Sequence, residues 1–477
     1  MTPNNNQTSK TPKQPRVALV FTPFWDAPCP PIGISYIKAA IKDVSECKVF
    51  DLNIRHGGKK GSLNPEKLAK EAPDMFRKDI EDILAFNPDI VGFSLFHLNY
   101  QTALYIMKMI KTLRPEIYTV IGGPHTSYVY EDLMKTFKFI DFCIVREGED
   151  AFRTLIESIK SGHSIAHANI ISQRKSIIDI LVGSKPRQNQ LVSVYPDFDD
   201  FNLDTYPVKM LPVMLTKGCS RDCNFCGLPN VFGGYRCRSP EDVLQEIKRD
   251  IKTYNVTNFM FTDALINSNI TAIEELCDLI IKEGLDIKYA GEAFPDISAK
   301  LLYKLHKSGC RFLWISPETG SQRLMNEVFN KKVNIDRARE TIINTSNIGI
   351  NVSTWLMIGA PSETEDDLNQ TIEFARSIKP YCVELVFIPF YIFIKSKMFR
   401  EYKRFNIKEL IRLGPFDIFY DYISESGGIY PFQKRVQLAE QLWNEFNRDQ
   451  AFIFADGHNQ DNKIYSYSTL FSDAFKK

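Results

Sequence analysis

Residues 213–226 read Val-Met-Leu-Thr-Lys-Gly-Cys-Ser-Arg-Asp-Cys-Asn-Phe-Cys. Val213–Thr216 has the length and composition of a buried strand, and Gly218 then opens a polar loop. In that loop Cys219, Cys223 and Cys226 are separated by three and two residues. Thiolates spaced so closely can wrap one inorganic core, because soft sulfur ligands select iron–sulfur clusters or zinc. A zinc site needs a fourth ligand, for which the nearest candidate is Cys237. A four-iron cluster on three thiolates instead leaves one iron open to the amino and carboxylate groups of a ligand.

Downstream, short apolar runs alternate with helical stretches. Asn258–Thr262, Ile287–Glu292, Phe312–Ser316, Asn351–Ile358 and Cys382–Ile388 read as strands, which with Val213–Thr216 makes six strand–helix units and an open, partial barrel. Ser239-Pro240-Glu241-Asp242 is a helix start, with a capping hydroxyl, proline at the first helical position and an acid closing the box. It places the first barrel helix at Pro240–Tyr254. In parallel α/β folds ligands sit at the carboxyl ends of the strands, so Asp263, Glu292 and Glu318, each just past an apolar run, qualify as site residues.

The cysteine loop resembles the signature of the radical S-adenosylmethionine (SAM) superfamily, including the aromatic Phe225 before the last cysteine. Arg238-Ser239-Pro240-Glu241, Ile315–Arg323 and Ile358–Thr364 fall where that family would put its other motifs, and the resemblance spans Pro212–Ile388. It implies a (β/α)6 partial barrel, a 4Fe-4S cluster on Cys219, Cys223 and Cys226, and SAM as ligand. It further implies that Asp263 holds the SAM amino group, although Thr262-Asp263-Ala264 stands where Gly-Gly-Glu is often seen. Glu318 would accept from the ribose hydroxyls, Phe225 and Gly359 would meet adenine, and Ser321 and Arg323 would engage the carboxylate. Helix capping is the other reading of Ser321 and Arg323. A reductant such as flavodoxin or ferredoxin would be a partner.

The N-terminal half alternates in the same way, with strands at Val17–Phe21, Lys48–Asp51, Ile90–Ser94, Tyr118–Gly122 and Phe142–Val145. The helix Tyr100–Leu113 sets Ala103, Ile106, Met107 and Ile110 on one face and ends before Pro115. Strands alternating with helices imply a doubly wound, Rossmann-like parallel sheet. Pro30-Pro31-Ile32-Gly33, Gly122-Gly123-Pro124-His125 and Glu147-Gly148-Glu149 make it similar to the cobalamin-binding domain of one radical SAM branch. That resemblance implies a cobalamin site built by Thr22, Pro31, Gly33, Ser94, Gly122, Gly123, His125, Glu147, Gly148 and Glu149. Turn geometry alone also explains the paired glycines, and the fold can persist without its cofactor. The Asp-x-His-x-x-Gly element that supplies a cobalt ligand elsewhere is missing after the first strand, which reads Thr22-Pro23-Phe24-Trp25-Asp26. His97 and His125 follow strands and are the candidate axial ligands.

The 477 residues therefore divide into a disordered polar leader (1–15), a cobalamin-binding-like domain (16–160), a linker (161–210), the radical SAM barrel (211–390) and a mainly helical C-terminal region (391–477) that forms a substrate lid. Within the last region Ile407–Leu413 and Gln433–Asn447 read as helices, and Gly57–Gly61 earlier reads as a flexible loop. A composition of 44% hydrophobic and 25% charged residues with a net charge of +1 is that of a soluble globular protein with no general pull toward nucleic acid or membrane. No run of roughly 20 apolar residues could span a bilayer, and three clustered cysteines of ten suit a reducing, cytoplasmic compartment.

The family pairing of domains implies radical chemistry on a small-molecule or peptide substrate: cobalamin-dependent methylation of an unactivated carbon, or a cyclisation or rearrangement. An iron–sulfur or cobalamin carrier is the alternative of another class. Replacing Cys219, Cys223 and Cys226 together by Ala is expected to abolish iron binding. Iron retained at the same stoichiometry would overturn the cluster assignment.

Overall fold

A computed structural model describes residues 14–23, 28–56, 72–162, 167–173, 194–232, 234–425 and 431–447. Most of the expected leader, the loop at 57–61, much of the expected linker and the chain beyond 447 lie outside the described residues.

The first sheet contains β1 (Arg16–Phe21), β2 (Glu46–Asp51), β3 (Ile90–Ser94), β4 (Tyr118–Gly122), β5 (Phe142–Ile144) and β6 (Ile170–Ser172). Its order is β2-β1-β3-β4-β5-β6, parallel except for β6 against β5. Helices α1 (Ile32–Ile41), α2 (Leu52–Arg55), α3 (Arg77–Ala85), α4 (Tyr100–Leu113), α5 (Pro124–Thr136) and α6 (Glu149–Ser161) connect the strands. Val17, Leu19 and Phe21 enter one core and Ala18 and Val20 another. A sheet buried on both faces is why its strands read as unbroken apolar runs. In this strand order the direction of winding reverses between β1 and β3, and a crevice opens there at the carboxyl ends.

Much of the described stretch between 161 and 210, read as a linker, is packed structure. Ile170–Ser172 adds the sixth strand, and Phe198, Phe201, Leu203 and Tyr206 are buried. Asp200 accepts from Val49 N at 2.8 Å, and Lys38 pairs with Asp197 at 3.0 Å. The absence of periodicity marked irregular backbone there, while its aromatic residues still drew it onto the sheet.

The second sheet is built from β7 (Met210–Val213), followed by the short hairpin β8 (Thr216–Lys217) and β9 (Arg236–Cys237), then β10 (Asn258–Phe261), β11 (Lys288–Ala293), β12 (Cys310–Ile315), β13 (Asn351–Ile358) and β14 (Glu384–Pro389). Six of these form an open parallel sheet of order β14-β13-β12-β11-β10-β7. Strand β7 begins three residues earlier than the sequence reading placed it. It tolerates Pro212 because it is an edge strand. Around the sheet lie α7 (Pro240–Tyr254), α8 (Ile270–Lys282), α9 (Ala299–Lys307), α10 (Ile335–Asn347) and α11 (Glu365–Ile378). Helix α7 starts at its signature, with the Ser239 hydroxyl accepting from Asp242 N at 3.1 Å.

The C-terminal region contributes β15 (Ile392–Phe393), α12 (Lys397–Arg400), β16 (Ile407–Arg412), β17 (Phe419–Ser424) and α13 (Phe432–Phe446). The helix expected at Ile407–Leu413 is a strand in a three-stranded sheet of order β15-β17-β16. Spacing of Ile407, Leu410 and Ile411 suits a helix, but Asn406 in the left-handed region and a turn at Gly414 confine the segment to a hairpin arm. Pairing with β17 then overrides local preference. Helix α13 matches its expectation and brings in Arg435, which has no exposed surface. Its guanidinium donates to Phe390 O at 3.2 Å and Gly359 O at 3.4 Å and pairs with Asp421. A Cβ on Gly359, where φ is +80°, would lie 2.1 Å from Arg435 Cδ, so only glycine lets the arginine in.

Removing the charge would strand Asp421 and the buried Phe390 carbonyl, while Gly359 O would keep the Tyr422 hydroxyl. Arg435→Met is expected to lower stability by about 3–5 kcal/mol. The check is the urea midpoint, which should fall at an unchanged slope.

Candidate cluster and cofactor site

The hairpin β8–β9 is the base of the cysteine loop, with Thr216 opposite Cys237 and Lys217 opposite Arg236. Gly218 leaves this base at φ +83°, where a Cβ would come 2.6 Å from Gly234 O. Cys219, Cys223 and Cys226 are unbridged and partly buried. Burial pushes Cys223 up to about 12 and Cys226 up to about 11; Cys223 also feels Lys331, Cys226, Glu318 and Cys219, and Cys226 feels Cys219, Glu318 and Lys331. The cysteines thus share one space with that acid and that lysine. Among the described residues no three His, Cys, Asp or Glu side chains converge as on a single ion. Three thiols around a common space are instead the donor set of a cluster whose irons each take their own sulfur. Cys237, the candidate fourth ligand, donates to Arg238 O at 3.3 Å on β9.

A segment after β12 grips this loop. Asn224 N and Nδ2 donate to Phe329 O and Val328 O, both at 2.9 Å, and Asn330 Nδ2 donates to Asp222 O at 2.8 Å. Phe225 meets Phe329 edge-on at 5.4 Å. The same segment ends in Lys331, buried, whose ammonium donates to Ser316 O and pairs with Glu318. Glu318 sits at φ +75°, an unfavourable conformation for its residue type, held also by its carbonyl accepting from Met357 N at 2.7 Å. Glu292 opens onto the same interior, and being hemmed in by protein pushes its carboxyl up to about 7, with Glu318 adding to the effect.

Four other sequence candidates are engaged elsewhere. Both oxygens of buried Asp263 are taken by the strand that feeds the loop, from Thr216 N and Oγ1 at 2.6 Å and Leu215 N at 3.1 Å. Burial pushes this carboxyl up to about 6. Ser321 donates to Asp367 and accepts from Leu324 N at 3.2 Å, and Arg323 pairs with Asp367 and donates to Ser362 O at 2.7 Å. Burial works against ionisation of Asp367, yet the bonds from Arg323, Ser321 and Thr364 hold it down at about 2. Ser321 and Arg323 therefore secure the start of α11. Gly359 donates its amide to Glu363, and its carbonyl is covered by Tyr422 and Arg435. Lys331 escaped the sequence reading because Lys331-Lys332 in a loop looks like a solvated charge pair.

At the crevice of the first sheet lies a cavity of about 320 Å³. Pro31, Gly33, Ser94, Gly122, Gly123, Glu147, Gly148 and Glu149 all line it, together with Met214, Lys217 and Thr262 of the barrel and Val231 and Phe232 of the cysteine loop. A Cβ on Gly33 would meet nothing within 4 Å, so the wall there stays open to a flat ligand. The residues fit part of a corrinoid, with a backbone cradle at the strand ends and an apolar face opposite.

Thr22 and His125 are not in its lining. Thr22 is buried and donates to Asn99 O at 3.4 Å. His125 is buried and stacked on Tyr100 at 4.4 Å, and burial lowers its basicity. His97 sits 3.4 Å from Asp417 of the C-terminal region. The acids at 147 and 149 bind cations across the domain boundary: Lys217 Nζ lies 2.8 Å from Glu149 and 3.3 Å from Glu147, and Arg236 forks onto Glu147.

A barrel of this topology with a three-thiol loop at its mouth defines a radical SAM enzyme. A family model described as the Radical SAM superfamily matches residues 213–375, and one described as the B12 binding domain matches residues 26–156. The chain belongs to the cobalamin-binding branch of the radical SAM superfamily, whose cofactors are a 4Fe-4S cluster, SAM and cobalamin. It is 25% identical, over 73% of each chain, to an uncharacterized methyltransferase of Pyrococcus horikoshii. An anaerobic magnesium-protoporphyrin IX monomethyl ester cyclase of Rubrivivax gelatinosus is 25% identical, over 63% of this chain and 56% of that one. The fold is shared with the cobalamin-dependent SAM radical enzyme OxsB in its aqua-cobalamin and SAM complex, with a TM-score of 0.70, 15% identity and coverage of 91% of this chain and 67% of that one. Among the described residues no helix is long and apolar enough to cross a membrane.

Glu149→Gln removes the closest partner of Lys217 at the base of the cysteine loop. Amide hydrogen exchange across residues 218–226 is expected to accelerate by about ten-fold or more, as loss of a buried pair's partner loosens its surroundings. Unchanged exchange would show that the loop is held by other contacts.

Proposed function

We propose that the chain is a cobalamin-dependent radical SAM methylase of an unactivated carbon. Held by Cys219, Cys223 and Cys226, a reduced cluster would supply the electron for cleavage of SAM and so for removal of hydrogen from the substrate carbon, and cobalamin, recharged by a second SAM that leaves as S-adenosylhomocysteine, would supply the methyl group. The observation that supports this reading is a shared wall. Lys217, Val231 and Phe232, on the hairpin and loop that hold the cysteines, also line the cavity of the B12 binding domain. The name of the Pyrococcus relative agrees with it.

In this reading Cys219, Cys223 and Cys226 hold the cluster. Glu318, fixed by Lys331, accepts from the ribose hydroxyls. Phe225 bounds the adenine, and Gly359, closed off by Glu363, Tyr422 and Arg435, stands behind it. Asp263, Ser321 and Arg323 act one step back, by fixing the start of β8 and the start of α11 rather than by touching SAM. Pro31, Gly33, Ser94, Gly122, Gly123 and the Glu147–Glu149 segment form the cobalamin cradle. The C-terminal sheet excludes water: Phe393 of β15 sits on the cysteine loop, where a Cβ added to Gly227 would come 2.3 Å from its ring. A small-molecule or peptide substrate and a flavodoxin or ferredoxin reductant complete the system. A radical cyclisation is the second reading, favoured by the name of the Rubrivivax relative.

The test is anaerobic reconstitution with cobalamin supplied, then reduction and chromatography of one sample. Methylation predicts 5′-deoxyadenosine, S-adenosylhomocysteine and bound corrinoid. 5′-Deoxyadenosine without S-adenosylhomocysteine would favour cyclisation, and neither nucleoside would overturn the radical reading. Glu318→Ala is expected to weaken SAM binding about ten-fold or more, the loss of a charge-assisted bond, while cluster absorbance persists. Unchanged calorimetric affinity would reduce Glu318 to a structural role.

A further inference from the structure

The charged residues that line the cavity of the first sheet are Arg146, Glu147, Glu149 and Lys217. Glu147 and Glu149 hold Lys217, and Glu147 also holds Arg236. Arg146 is left over. Among the described residues its guanidinium meets no carboxylate and donates no hydrogen bond, while its backbone N donates to Ser127 Oγ at 2.7 Å. Arg146 is exposed where Glu149 is buried, which puts it at the open end of the cavity. It follows β5 at φ +62°, a conformation that a residue with a side chain keeps only where its neighbours impose it. Here Val145 N donates to Asn169 O at 2.9 Å and Asn169 Nδ2 donates to Glu147 O at 3.1 Å, so the bend is fastened on both sides.

A second cation comes to the same place from the C-terminal region. Lys395, between β15 and α12, has φ +61°, and its Nζ donates to Ser127 O at 3.3 Å, on the residue whose hydroxyl holds Arg146. The ammonium lies over the Tyr130 ring at 5.3 Å and has no ion pair among the described residues. Glu131 and Asp132 are the nearby acids, and Asp132 is bound to Arg412. Burial lowers the basicity of Lys395, and Arg146 lowers it further while those acids oppose the change. The cysteine loop reaches this point as well, since Asn230 Nδ2 donates to Lys395 O at 3.0 Å.

Two cations held on left-handed backbone with no acid between them repel one another, and an oxyanion placed between them turns that repulsion into binding. The corrin rim of cobalamin carries neutral amides, and the molecule's anionic group is the phosphodiester of its nucleotide tail. Resting on occupation of this cavity by cobalamin, we infer that Arg146 and Lys395 form an oxyanion site at its mouth that takes that phosphodiester. A guanidinium with a free fork suits a phosphate, and the lysine adds a point charge. Because Asn230 holds the Lys395 carbonyl, the phosphate joins the B12 binding domain, the C-terminal region and the cysteine loop at one point.

The test uses the reconstituted full-length protein and two corrinoids in the same axial form: cobalamin, and cobinamide, which has the macrocycle without the phosphate and base. Binding is read by equilibrium dialysis and absorbance. Arg146→Gln is expected to weaken cobalamin binding about ten-fold and Lys395→Gln about five-fold, the loss of a charge-assisted bond, while cobinamide affinity stays level and shows that the cavity is intact. Where cobinamide binds too weakly to measure, salt decides. Raising chloride from about 0.05 to about 0.5 M should weaken cobalamin binding to the wild type and much less to the double variant. Cobalamin affinity unmoved in both variants, equal losses for the two corrinoids, or the same salt dependence in wild type and double variant would each overturn the inference. A wild-type protein that takes up no cobalamin would sink the cofactor reading along with it, whereas uptake that the variants leave unchanged sinks the inference alone.

Discussion

The bridge between Glu147 and Glu149 on one domain and Lys217 and Arg236 on the other is the constraint on which the site depends. Glu149 and Lys217 are each about 10% exposed at their side chains, so neither charge can be solvated without the other. Buried pairs seldom add much net stability, because desolvation offsets attraction, but they penalise every arrangement that separates them. Here the penalty falls on any displacement of the β8–β9 hairpin from the crevice of the first sheet. Since the hairpin carries the cysteine loop, electrostatics at its base set how the loop faces the neighbouring cavity.

A second set of contacts holds the loop from the opposite side. Val328, Phe329 and Asn330 bond Asn224 and Asp222 of the loop, and the adjacent Lys331 bonds Glu318, so the cysteine loop and that acid are tied through one short stretch. The left-handed backbone at Glu318 is tolerated because Lys331, Ser316 and Met357 over-determine it. The C-terminal sheet closes the third side, with Arg412 on Asp132 at 2.7 Å and Phe393 against Tyr128 at 4.8 Å. Three separate parts of the chain thus converge on the loop and hairpin between Thr216 and Cys237.

What was legible in the sequence follows from what is local. Cysteine spacing, the Ser239–Asp242 helix start and the apolar runs of both sheets are dictated within a few residues, and the strands and α7 lie where those signals put them or within about three residues. The hairpin arm Ile407–Arg412 was misread as a helix because its apolar spacing fits both periods and only the partner strand decides. Asp263 was read as facing a ligand because it ends a strand. That its oxygens turn back to Leu215 and Thr216 depends on a neighbouring strand 47 positions away, which no local pattern encodes. Glu147 and Glu149 line the cavity of the first sheet, while the cations they hold come from the other domain.

The geometry also separates two tasks that the sequence presents together. Residues that hold the inorganic and nucleotide groups sit on loops after strands, where backbone can bend around a ligand and a glycine or left-handed residue is often required. Residues that face the interior layers sit within strands, where period two allows any side chain without disturbing the fold, since the outward alternates alone make the helix-covered core. Loop motifs are therefore shared widely among proteins that use the same cofactors, and inward strand positions are free to differ with the molecule being transformed.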